Sequence, residues 1–99
     1  MGSPSFSADI AKLLIIDVRT EAEWKSGHIE GAVLIPYEKI EEKIGTVAKD
    51  KSKRIYLYCR TGRRANIAKD SLDKLGYKDV INLKTLENAA EAMKLKIVK

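Results

Sequence analysis

The chain has 99 residues, 44% of them hydrophobic and 33% charged, the size and balance of one globular domain with a single core of two or three layers. Its net charge of +5 suits anionic partners, but the lysines are scattered and there is no RNP motif, zinc spacing or basic arm, so nucleic acid is set aside as a partner. The single cysteine excludes an internal disulfide and a multi-cysteine metal site, and no apolar run approaches the ~18 residues of a membrane span.

Residues 1–8 are small and polar and read as a disordered segment or a cloning remnant, ahead of one folded domain over residues 9–99. Residues 13–18, LLIIDV, are a continuous apolar run of strand length, as in a sheet covered on both faces. Thr20 precedes Glu23 by three, a capping box that predicts a short helix starting at Glu21, carrying Trp24 and ending at Gly27. A second short strand over residues 32–35 stops at Pro36. Between Tyr37 and about Ala48, the residues Ile40, Ile44 and Val47 recur at spacings of four and three, which predicts an amphipathic helix interrupted near Gly45. Residues 49–53 are a polar loop.

Residues 54–75, RIYLYCRTGRRANIAKDSLDKL, read as strand, tight loop and helix. Ile55, Tyr56, Leu57 and Tyr58 suit a buried strand, and Cys59 follows at its exit. Arg60, Thr61, Gly62, Arg63 and Arg64 form the loop, with Gly62 free to take a positive φ. Ala65, Ala68, Leu72 and Leu75 then keep helical spacing, and Gly76 fits the position just past the helix end. Further on, residues 80–83 predict a strand and residues 86–93 a helix with Ala89, Ala90 and Met93 inward, while Ile97 and Val98 tack down the tail.

A lone cysteine is often no more than a small buried hydrophobe. Cys59, however, stands at a strand exit facing a helix amino end, with three arginines within five residues, a setting that favours a reactive thiolate. Cations at a helix amino end oppose its dipole, and a bound anion relieves that conflict. Strands alternating with helices over short connections argue an α/β, three-layer domain with a mainly parallel sheet, whose ligands lie beyond the carboxyl ends of the strands. Cys59 falls at such an end. The milder readings apply elsewhere: Asp17 pairs with nearby amides or with Arg19, His28 fixes a turn through hydrogen bonds, and Trp24 is partial core.

Several motifs, taken in order, resemble the rhodanese domain. They are DVR at residues 17–19, EW at 23–24, GHIEGA at 27–32, IP at 35–36, YCRTGRRA at 58–65, GY at 76–77 and VINL at 80–83. The small size and the KLKIVK ending resemble the single-domain, phage-shock protein E type of thiosulfate sulfurtransferase. The resemblance implies a rhodanese-like domain with a five-stranded, mainly parallel sheet flanked by helices, and a catalytic cysteine opening a six-residue loop, here residues 59–64. Lys84 and Thr85 stand where the family usually has a Gly-Gly pair that lets the next segment pass close to the site, and Ala65 stands where many members have serine.

The implied chemistry is attack of the Cys59 thiolate on the outer sulfur of thiosulfate, leaving a persulfide that passes its sulfur to cyanide or a thiol acceptor. Residues Arg60, Thr61, Gly62, Arg63 and Arg64 bind the substrate through backbone N–H groups and guanidinium side chains. No metal or organic cofactor is required. The resemblance further implies a periplasmic location, with the cytoplasm as alternative, and leaves a protein sulfur acceptor open as a partner; a monomer is the default for so small a domain. Two other classes share parts of this pattern. A noncatalytic or sulfur-carrier interaction module keeps the fold, although such modules often lose the cysteine. A cysteine-dependent phosphatase or arsenate reductase needs Cys-x5-Arg to wrap a tetrahedral oxyanion, whereas residues 59–64 are Cys-x4-Arg and position 65 is alanine.

Overall fold

The computed structural model describes residues 13–99. The expectations for residues 1–8 and for the start of the domain lie outside them. Four parallel strands form the central sheet in the order β3-β1-β4-β5: β1 (Leu14–Asp17), β3 (Val33–Leu34), β4 (Ile55–Cys59) and β5 (Val80–Thr85). A separate antiparallel ribbon joins β2 (His28–Ile29) to β6 (Ile97–Val98). Four strands, not five, are thus found in the main sheet among the described residues. The residues expected to tack down the tail do so by pairing Ile97 with Ile29 and Val98 with His28.

Alternation along the strands divides the core into two layers, because successive side chains point to opposite faces. Leu14, Ile16, Val18, Ile55, Leu57 and Cys59 face helices α2 (Ile40–Val47) and α3 (Arg63–Lys74), and pack with Ile40, Ile44, Ala65, Ala68 and Leu72. Ile15 and Tyr58 face the other way and pack with Ile29, Leu83 and Ala89, the last on helix α4 (Leu86–Met93). Helices therefore cover both faces of a parallel sheet, and both layers are needed because β1 and β4 are apolar on both sides. Each fully buried leucine or isoleucine here contributes about 1.5–3 kcal/mol.

The local signals act as the sequence suggested. Thr20 caps α1 (Glu21–Ser26): its hydroxyl accepts from Glu23 N–H at 3.2 Å, and Glu23 Oε1 accepts from Thr20 N–H at 3.0 Å. Helix α3 ends in a Schellman arrangement, with Gly76 at φ +96° and Tyr77 N–H donating to Leu72 O at 3.0 Å. Two boundaries differ. Residues 37–39 form a 3-10 turn, so α2 proper begins at Ile40, and it runs through Gly45 to Val47, its inner face held by buried Ile40 and Ile44. Gly62 is the N-cap of α3, so Arg63 and Arg64 occupy its first turn and the connecting loop is only Arg60, Thr61 and Gly62. No helix among the described residues is long and apolar enough to cross a membrane.

Candidate active site

Strand β4 delivers Cys59 to the carboxyl edge of the sheet, and the turn at Gly62 folds the start of α3 back over it. Glycine is required at this turn twice over. Its φ of +96° is strained for any side chain, and an added Cβ would lie 3.3 Å from Lys84 Cβ and 3.4 Å from Lys84 Cα. Gly62 N–H donates to Cys59 Sγ at 2.9 Å, and the cysteine is fully buried. Such a donor stabilises negative charge on sulfur, as does the amino end of a 12-residue helix. Gly62 is the only residue of the expected amide cradle whose N–H reaches Sγ among the described residues. Arg63 N–H instead lies 3.4 Å from Thr61 Oγ1.

The three arginines are not equivalent. Arg60 and Arg63 are exposed, and neither forms an ion pair among the described residues. Arg64 is committed elsewhere: its Nη1 and Nη2 donate to the two carboxylate oxygens of Glu23 at 2.8 and 2.9 Å. This fork pulls the Glu23 carboxyl from its ordinary 4.5 down to about 2, against the opposing effect of burial and with help from Thr20. The same pairing holds the Arg64 guanidinium above its usual range. Arg64 thus ties α3 to α1 beside the site, leaving Arg60 on the loop and Arg63 at the start of α3 as the free cations.

The framework residues take the mild roles expected of them. Asp17 is fully buried at the end of β1 and accepts from Arg19 N–H and Nε at 2.9 Å and from Nη2 at 2.7 Å. Arg19 also donates to Gly27 O at 2.6 Å and lies 5.5 Å from the Tyr58 ring centroid, so one guanidinium joins β1, the end of α1 and β4. Burial opposes its charge, but the hydrogen bond and charge of Asp17 outweigh it and raise its pKa. Tyr58 accepts from Ile29 N–H at 3.0 Å, and burial pushes its phenol above the ordinary value. His28 Nδ1 lies 2.8 Å from Trp24 O, which makes Nδ1 the protonated nitrogen, and its ring stacks on Trp24 at 3.5 Å.

Asn82 had no assigned role. Its Nδ2 donates to Gly62 O at 3.1 Å and its Oδ1 accepts from Lys84 N–H at 2.7 Å, so it braces the loop against the end of β5. The available signal was an asparagine inside an otherwise apolar strand, where its amide needs partners. A cleft of about 350 Å³ opens beside the loop, lined by Arg19, Glu23, Ser26, Arg60, Leu86 and Glu87. Among the described residues no cluster of histidine, cysteine and carboxylates could hold a metal ion.

The profile of the rhodanese-like domain matches residues 5–85. The chain belongs to the rhodanese-like domain family. It is 36% identical over 75 residues to the thiosulfate sulfurtransferase PspE of Escherichia coli K12, covering 76% of this chain and 72% of PspE. A solved structure described as a rhodanese with anions, from E. coli, superposes with a TM-score of 0.79 at 34% identity, covering 86% of this chain and 95% of that one. The putative sulfur carrier protein YrkF of Bacillus subtilis is 37% identical over 71 residues, which cover 72% of this chain but only 37% of YrkF. Family membership and the PspE likeness support a sulfurtransferase.

Proposed function

We propose that this rhodanese domain transfers the sulfane sulfur of thiosulfate through a persulfide on Cys59. The observation that carries the reading is the thiol itself, held against the Gly62 N–H at 2.9 Å under a turn that bears two free arginines. The thiolate attacks the outer sulfur, the S–S bond of thiosulfate breaks, and its electron pair leaves with sulfite. Cyanide or a thiol then attacks the terminal sulfur of the persulfide, and the Cys59 thiolate is restored. With cyanide the product is thiocyanate, and no outside oxidant or reductant enters. Arg60 and Arg63 hold the donor's sulfonate oxygens, and the cleft beside Arg60 is the route of the acceptor. Because Cys59 is fully buried, the exposed loop side chains must part before a donor reaches it.

The test combines product and intermediate. Protein incubated with thiosulfate and cyanide should form thiocyanate, and with thiosulfate alone should gain one sulfur, about 32 Da, removable by a reducing thiol. Cys59→Ser should do neither. An adduct that persists in that variant would sink the assignment, and efficient hydrolysis of an aryl phosphate by the unaltered protein would favour the phosphatase class instead. The likeness to YrkF favours a protein thiol as one acceptor, with the same persulfide as donor.

A further inference from the structure

Lys84 has a backbone conformation that lysine rarely adopts. Its φ is +73°, one of two positive values among the described non-glycine residues. Its place in the sheet explains how that arises. Leu57 and Cys59 on β4 pair with Asn82 and Thr85 on β5, so the one residue between them on β4, Tyr58, is matched by two on β5, Leu83 and Lys84. This is a bulge at the strand end next to the nucleophile, and left-handed bulge positions are normally filled by glycine. Bulges of this kind re-aim a side chain. Here the base of the side chain packs on the turn: the Cβ and Cγ of Lys84 lie 3.3 and 3.4 Å from where a Gly62 side chain would begin, so the lysine stem starts against the residue whose N–H meets Cys59. Asn82 fixes this placement by bonding both the Lys84 N–H and the Gly62 carbonyl. The lysine is exposed and has no ion pair among the described residues.

Resting on the reading of Cys59 as the reactive thiol, we propose that Lys84 determines specificity at this site: its ammonium is a third free cation beside Arg60 and Arg63 and selects anionic over neutral reactants for Cys59. A glycine would occupy the bulge without strain and would also leave the turn uncovered. The strain is therefore a cost that the charge accompanies, and strained residues of this sort gather at functional sites. The ammonium sits on a flexible stem at the protein surface, so its effect is local, modest and screened by salt.

Two readouts separate this proposal from the transfer chemistry. The first is the rate of Cys59 alkylation by anionic iodoacetate divided by that by neutral iodoacetamide; the ratio cancels changes in access and needs no turnover. In low salt, Lys84→Met should lower the ratio about threefold, Lys84→Arg should keep it, and added salt should remove the difference. The second is steady-state sulfur transfer, where Lys84→Met should raise KM for thiosulfate by a similar factor and leave kcat within about twofold. An unchanged alkylation ratio in Lys84→Met, or an equal fall in Lys84→Arg, overturns the role of the charge whatever the turnover. A protein that alkylates with the expected ratios but makes no thiocyanate upholds Lys84 and refutes the sulfurtransferase reading.

Discussion

Glu23 serves two masters: one oxygen accepts from Thr20 to cap α1, and the carboxylate as a whole accepts the Arg64 fork from α3. Its pKa is lowered, so the ionised form is the one that the fold favours, and the stabilisation is present above the ordinary value of 4.5 and is lost as pH falls toward about 2. Glu23→Gln should therefore be less stable than the unaltered protein near neutral pH, with the gap closing through that acid window; urea midpoints measured across it check the sign. A gap that widens toward low pH would contradict it. For the free cations, Arg60→Ala or Arg63→Ala should raise KM for thiosulfate more than it lowers kcat, because the lost contact is common to ground and transition states. Arg64→Ala should instead lower stability, since its side chain is paired with Glu23. An unequal role for the three arginines follows from so short a loop, but the pairing of Arg64 with Glu23 was not legible in the sequence. Arg64 and Glu23 are 41 positions apart, and no local pattern reports such a meeting.

At the scale of elements, the order of strand, turn and helix around Cys59 was readable because every part carries its own local signal. A four-residue apolar run, a glycine at the turn and a helical repeat each act over a few positions. The turn is shorter than the sequence suggests, because the start of α3 lacks the side-chain cap and the acidic first turn that mark α1. The buried Asp17–Arg19 pair was readable for a related reason, the partners being two residues apart. It anchors the end of β1 to α1, and with both side chains almost wholly out of water its loss leaves an uncompensated charge. Asp17→Ala should destabilise the domain by about 3–5 kcal/mol, seen as a fall in the urea midpoint at unchanged slope. A loss below about 1 kcal/mol would mean that Arg19 finds water or another partner.

For the molecule as a whole, the layering and the four strands of the main sheet followed from apolar runs, the count of five having come from the resemblance, while the pairing of β2 with β6 did not follow, since a two-residue strand is too short to show a period. Net charge, by contrast, is a property of the full chain. At +5, and with free cations gathered over the thiol, the protein should attract an anionic donor from a distance. The ratio kcat/KM for thiosulfate should then fall as ionic strength rises past the point where the screening length shrinks below about 10 Å. An unchanged ratio between low and high salt would confine electrostatics to direct contact.

The burial of Cys59 has a consequence for how long the protein lasts. The chain holds one thiol, so a sulfenic acid formed there has no second cysteine with which to close a protective disulfide. The next oxidation step, to sulfinic acid, is a dead end without dedicated repair. A sulfur with no surface exposed to water meets peroxide only when the chain around it moves aside. In the proposed reaction, the covering that would delay the donor would also limit oxidation of Cys59.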